Sequence, residues 1–263
     1  MKAVFETLRL EIEDGVGRLV LANGAKGNAI GPVFGRELRE AAIILDEARE
    51  LRVVLFTAEG KNFCVGGDLG VFAGQSDLSR AVKTMTADYH AALSKLLRMD
   101  APIVTAVQGA SAGAGVALAV LGDIVVCGAG AHFTMAYTAI GFSPDGASTH
   151  ILPRLIGLRR FQELVLTNRR VGAEEAARIG LVTEVAENDA LAARAESLAL
   201  SLSQGPTRAF AATRRLLLDT FNTPLETQLE WEARLLSEQC RTKDAAEGVQ
   251  AAAARRPALF KGC

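Results

Sequence analysis

Residues 102–126 read PIVTAVQGASAGAGVALAVLGDIVV, and this stretch decides the fold. Residues 103–107 form a short, continuous apolar run with Pro102 at its mouth, the pattern of a strand buried on both faces. A loop of small residues follows, and residues 112–121 read as a small-residue helix. Residues 124–127 are a second apolar run. Strand, loop, helix and strand in that order is the period of crossover units, so the body of the protein is expected to be α/β.

Upstream, residues 5–13 alternate apolar and polar side chains, Asp14-Gly15 turns the chain, and 18–22 resume as a strand, which predicts a hairpin. Pro32 opens an amphipathic helix running to residue 49. Residues 52–58, RVVLFTA, read as another buried strand. A glycine-broken loop over 59–74 and a helix around 78–98 complete the first half. From about residue 173 the pattern changes. Short helices surround a strand at 182–185, and 189–204, 207–221, 225–240 and 243–255 all look helical, with Pro206 and Pro224 starting two of them. The expected division is an α/β core over 1–200 and a helical region over 201–263, with no low-complexity linker and no tandem repeat.

The bulk numbers narrow the class. With 263 residues, 49% hydrophobic and 22% charged, the chain can bury a large core and shows no sign of disorder. A net charge of −1 gives no electrostatic reason to expect nucleic acid or an anionic membrane as partner. Cys64, Cys127, Cys240 and Cys263 are scattered, without metal-ligand spacing, and suit free thiols in a reducing cytoplasm. The opening MKAVFETLRLEIEDG has early acids and no apolar h-region, so no signal peptide is expected. The most apolar tract, 102–129, is broken by glycines and Asp123 and makes a poor membrane span. No metal site is expected.

Two glycine loops stand out because each joins a buried strand to a helix. The first is NFCVGGDL at 62–69 and the second GASAGAGV at 109–116. Small residues let a ligand approach the backbone, and two such loops side by side can each give one N–H to an oxygen carrying developing negative charge. The competing reading is that the glycines only permit tight turns and close packing. Neither loop fits a nucleotide-phosphate cradle.

Taken with other segments, these loops identify a resemblance. FCVGGDL at 63–69, residues 102–126, HFTMAYTAIGFSPDGASTHILPRLIG at 132–157, LTNRRVGAEEAARIGLVTEV at 166–185 and EGVQAAAARRPALFKG at 247–262 follow, in order, the pattern of the crotonase, or enoyl-CoA hydratase/isomerase, superfamily. Asn28-Ala29 after the hairpin belongs to the same set. The resemblance implies a spiral of ββα turns followed by a helical region that mediates assembly into a homotrimer or homohexamer and completes part of the coenzyme A site. It implies an acyl-CoA thioester substrate, with no permanently bound cofactor, whose carbonyl oxygen sits between the backbone amides of Gly67 and Ala114. Alanine stands at the second position where glycine is commoner, but it keeps the N–H. Ala25, Lys26, Cys64, Gly66, Asp68, Leu69, Gly113, Tyr137 and His90 are the further substrate-binding positions it implies.

The acids decide the reaction. Hydratases of this family resemble one another in two glutamates that manage a water. This chain has Ala117 at the first position and Tyr137 at the second. Asp145, in Ser143-Pro144-Asp145-Gly146, falls where other branches keep a single working acid. Those branches include the enoyl-CoA isomerases, with the ring isomerase of phenylacetate breakdown, and 4-chlorobenzoyl-CoA dehalogenase. An isomerase needs one base that removes a proton beside the thioester carbonyl and returns it two carbons away. The dehalogenase needs the aspartate as nucleophile and a histidine to activate water, and His90 falls at that histidine's place, with Tyr89 and Tyr137 where it has tryptophans. The residues before Asp145 and the tail at 224–230 resemble the phenylacetate branch more closely, which puts isomerisation first. A non-catalytic acyl-CoA-binding paralogue is the remaining alternative.

Plainer readings stand beside these. His90 on a helix is more often a half-buried surface residue, and Tyr137 a pocket wall. His132 and His150 read as structural, Asp68 as a helix cap, Asp123 as a brace for a strand start, and Cys64 as packing. Lys26, Lys61 and Lys261 either pair with coenzyme A phosphates or are solvated.

Overall fold

Alternation in LRLEIE puts Leu8, Leu10 and Ile12 on the buried face of a strand, and the hairpin forms as the pattern predicts. A computed structural model describes residues Met1–Cys263. Its strands are β1 (Lys2–Val4), β2 (Leu8–Glu13), β3 (Val16–Leu21), β4 (Val53–Ala58), β5 (Ile103–Val107), β6 (Ala110–Ala112), β7 (Ile124–Gly128), β8 (His132–Thr134), β9 (Val171–Gly172) and β10 (Glu184–Ala186). The helices are α1 (Pro32–Glu47), α2 (Leu69–Ala73), α3 (Leu78–Arg98), α4 (Ala114–Ala119), α5 (Ser148–Ile156), α6 (Leu158–Thr167), α7 (Ala173–Arg178), α8 (Leu191–Ser203), α9 (Thr207–Asp219), α10 (Leu225–Gln239) and α11 (Lys243–Ala254).

Seven strands form the main sheet in the order β1-β2-β3-β4-β5-β7-β10. The first three are antiparallel, and from β3 onward every neighbour is parallel. The loops after β4 and β5 therefore leave from one edge of adjacent strands, which is how open parallel sheets make binding crevices. The continuous apolar runs follow from burial on both faces. Val54 and Phe56 enter the large core with α1 and α3, while Val53 and Leu55 pack with Ala195 and Ala199 of α8.

Three short strands form a second sheet, β6-β8-β9, which sequence pattern does not reveal because each is only two or three residues long. Three further expectations are corrected. The helix expected at 112–121 begins at Ala114, because Gly113 takes φ +52° and Ala110–Ala112 extend as β6. The 59–74 loop contains α2, capped by Asp68. The strand expected at 182–185 lies at Glu184–Ala186. No helix is long and apolar enough to cross a membrane.

Candidate active site

The two glycine loops are paired to each other. Cys64 and Ser111 face one another in a parallel bridge. Cys64 N donates to Ala110 O at 3.2 Å, and Ala112 N donates to Cys64 O at 3.0 Å. Beyond this bridge Gly67 pairs with Ile30 and Ala114 starts α4, and both residues line the same cavity. A Cβ built on Gly66 would lie 3.7 Å from Ala114 N. At Gly115 a Cβ would collide with the Cys64 carbonyl, so the close approach of the loops requires glycine there. Gly67 N–H has no backbone acceptor among the loop bonds, and Ala114 opens α4, ahead of the intrahelical ladder. Two amides are thus left available on adjacent turns.

Asn28 and Asn62 hold these turns. The Asn28 amide donates to the carbonyls of Glu59, Asn62 and Phe63 at 3.0 Å each, and Asn62 Oδ1 accepts from Ala110 N at 3.1 Å. Asn28 was legible only as part of a motif, and its bracing role needs the folded loop. Cys64 is not a ligand-facing group: its thiol is fully buried, donates to the Asn28 carbonyl at 3.2 Å, and burial pushes its pKa up to about 12. Asp68 does not line the cavity either, its Oδ1 accepting from Gly70 N and Val71 N as the cap of α2. For both side chains the contacts present are those of packing and capping.

Beyond the amides opens a cavity of about 740 Å³, the size of a pocket for a small organic ligand. Ile30, Val65, Phe72, Val82, Met85 and Phe142 give it an apolar wall, with the Phe72 and Phe142 rings 5.9 Å apart. Gly66, Gly67, Gly113 and Ala114 line one side, and Leu69, Tyr137, His90 and Asp145 complete it. Ala25 and Lys26 are exposed in a short 3-10 turn tied to the first loop through Val65 N and Gly27 O at 3.0 Å, but they do not line the cavity. Lys261 lies at the other end of the sheet, in a separate polar cleft with Asp14, Arg52 and Asp100, and so does not reach the apolar cavity of its own chain.

Asp145 sits in the turn before α5, where its backbone is pinned. Its carbonyl accepts from Tyr137 Oη at 3.2 Å, Ser148 Oγ at 2.5 Å and Ser148 N at 3.2 Å. With its carbonyl fixed, the side chain is turned to the cavity, 31% exposed, and Oδ1 lies 2.6 Å from His90 Nε2. A carboxylate can only accept, so the imidazole N–H donates to it. His90 is therefore more than a half-buried surface residue: half exposed, it reaches across from α3 to the acid. The reading of Tyr137 as a pocket wall fits its place at 8% exposure, where burial pushes its phenol up to about 12. Tyr89, marked in the sequence only as standing where the dehalogenase has a tryptophan, donates its hydroxyl to the Ala114 carbonyl at 3.2 Å. It sits on the buried face of α3, with Met85, Ala92 and Leu96.

A pair of free amides facing a carboxylate across an apolar cavity, on turns of a parallel α/β sheet, defines a site that can bind a carbonyl oxygen and move a proton beside it. Comparison with known proteins agrees with that class. Residues 11–263 match the enoyl-CoA hydratase/isomerase family. A probable enoyl-CoA hydratase of Rhodobacter capsulatus is 36% identical over 259 residues, covering 98% of this chain and 99% of that one. The 1,2-epoxyphenylacetyl-CoA isomerase of Escherichia coli is 30% identical over 264 residues, covering 98% and 100%. The crystal structure of an enoyl-CoA hydratase/isomerase from Cupriavidus metallidurans superposes with a TM-score of 0.91 at 30% identity, covering 99% and 98% of the two chains. The protein belongs to the enoyl-CoA hydratase/isomerase family and has the crotonase fold. It is an acyl-CoA enzyme of that family, in which coenzyme A enters as part of the substrate.

Proposed function

We propose that the protein shifts a carbon–carbon double bond in an enoyl-CoA thioester. The observation that carries this reading is one carboxylate, Asp145, lining the same cavity as the Gly67 and Ala114 amides, with alanine and tyrosine where hydratases keep glutamates. The thioester carbonyl oxygen accepts from both amides, which makes the adjacent C–H acidic. Asp145 removes that proton, the charge spreads over the dienolate, and the same group returns the proton two carbons away. One carboxylate suffices because it is base first and acid second. His90 holds Oδ1 and leaves the other oxygen for the substrate. An amide pair of this kind contributes ~3–4 kcal/mol per donor at the transition state.

The test is Asp145→Asn, assayed in heavy water with a panel of 2- and 3-enoyl-CoA esters. Turnover and deuterium uptake beside the carbonyl are expected to fall by about 10³-fold, with acyl-CoA affinity largely kept. Undiminished turnover would remove Asp145 from the mechanism. Tight binding without conversion of any ester by the natural protein would favour a non-catalytic binding protein instead.

The 2.6 Å contact between His90 and Asp145 favours a second reading, an aryl-CoA dehalogenase-like enzyme. There the carboxylate attacks the ring carbon, chloride leaves, and His90 takes a proton from the water that hydrolyses the aryl ester. Multiple-turnover chloride release from 4-chlorobenzoyl-CoA, cut by His90→Gln to a single stoichiometric burst that leaves an aryl ester on Asp145, would put this reading first. The region 201–263 is proposed to mediate a homotrimer or homohexamer, since α10 buries none of its residues within one chain.

A further inference from the structure

Two consecutive residues of α3 touch the two halves of the site. His90 holds the acid, and Tyr89, 1% exposed, holds the oxyanion turn through its hydroxyl bond to the Ala114 carbonyl. The tyrosine ring also meets the acid's own turn. A Cβ built on Gly146, the residue after Asp145, would lie 3.0 Å from Tyr89 Cε1, 3.2 Å from its hydroxyl oxygen and 3.2 Å from the Ala117 methyl. Gly146 takes φ +63°, so glycine is required there on two counts. The ring is therefore wedged between the residue that offers an amide and the residue that follows the carboxylate. Burial pushes the phenol well above its ordinary pKa, which keeps the hydroxyl a permanent donor.

We infer that Tyr89 is a positioning residue for the reaction: its hydroxyl fixes the Ala114 turn and its ring seats Gly146, so one side chain sets the separation between the amide pair and Asp145. This rests on the acyl-thioester reading above. Proton removal and charge growth on the carbonyl oxygen occur together, so an error in that separation is felt in the rate more than in ground-state binding. Nothing in this role needs Tyr89 to touch substrate.

The test compares Tyr89→Phe with Tyr137→Phe. Phenylalanine at position 89 keeps the ring against Gly146 and removes only the bond to Ala114. The readouts are kcat, KM and the infrared carbonyl stretch of bound 2-enoyl-CoA labelled with carbon-13 at the thioester carbon. The stretch reports the strength of the two amide bonds in folded, loaded protein only. For Tyr89→Phe we expect kcat lower by about tenfold, KM within about twofold, and a stretch displaced toward that of free thioester. Tyr137→Phe should leave the stretch as in the natural protein, because its hydroxyl bonds the Asp145 carbonyl and Ser148 and not the Ala114 turn. An unchanged kcat for Tyr89→Phe, or a lower kcat with an unchanged stretch, would overturn the inference. Failure of the isomerase reading shows separately, as turnover surviving Asp145→Asn while Tyr89→Phe still displaces the stretch.

Discussion

At Ala117, the position where the family resemblance implies a hydratase glutamate, the surroundings leave no room for one. The side chain is 1% exposed, on α4, and its methyl stands 3.2 Å from where a Gly146 Cβ would be. Tyr89 fills the other side of the same contact. A glutamate there would force a charged group into packed space with no cation to meet it. Ala117→Glu is therefore expected to cost about 2–4 kcal/mol of stability and to gain no hydration of 2-enoyl-CoA. Denaturant unfolding and a hydration assay on the purified variant check both parts. Measurable hydratase activity would show that the space is more forgiving than the contacts indicate.

Among the elements, α3 does most for the site, and its far end is held by one residue of α9. Arg214, with 9% of its side chain exposed, donates to the carbonyls of Leu96, Met99 and Ala101 and pairs with Asp123 at 2.9 Å. Asp123 in turn accepts from Ile103 N at 2.8 Å, so the expected brace of a strand start is present and is shared with a helix C-terminus. Removing the guanidinium takes the donor from three carbonyls and leaves Asp123 with only its bond from Ile103 N. Arg214→Ala should lower stability by about 1–3 kcal/mol, and Arg214→Lys should recover only part, because an ammonium cannot reproduce the planar fork. A shifted urea midpoint with an unchanged slope is the expected result. This level of structure was largely readable from the chain. The runs at 52–58 and 103–107 and the period of 78–98 are long and regular, and they fold as read. The two- and three-residue strands of the second sheet carry too little period to register. The amide turns and Asp145 were visible because motifs are local. The partnership of His90 and Tyr89 with residues 55 and 25 positions away was not, because it exists only once α3 is laid across the two loops.

On the scale of the molecule, the helical end is out of balance with a chain acting alone. A helix gains most of its stability from packing an apolar face, yet α10 has no buried residue over its fifteen positions. Leu217 on α9, Phe221 just beyond its end, and Leu225, Leu229 and Leu236 on α10 are 54–69% exposed. Leu225 and Leu229 are four residues apart, on one face of the helix. Apolar side chains gathered this way on one region mark an interaction surface, and a symmetric homo-oligomer covers such a surface with copies of itself. At micromolar concentration the protein is expected to sediment at three or six times its chain mass of 27.8 kDa. Leu225→Glu combined with Leu229→Glu should shift it to monomer, since each substitution sets a charge into the apolar contact. If the natural protein sediments as a monomer, the assembly role of residues 201–263 is wrong, and the exposed leucines need another partner. If the variant is monomeric but turns over enoyl-CoA at the natural rate, the subunits assemble without completing one another's sites. A loss of turnover that tracks dissociation, with Asp145 and the two amides untouched, would instead locate part of the coenzyme A site on the neighbouring chain.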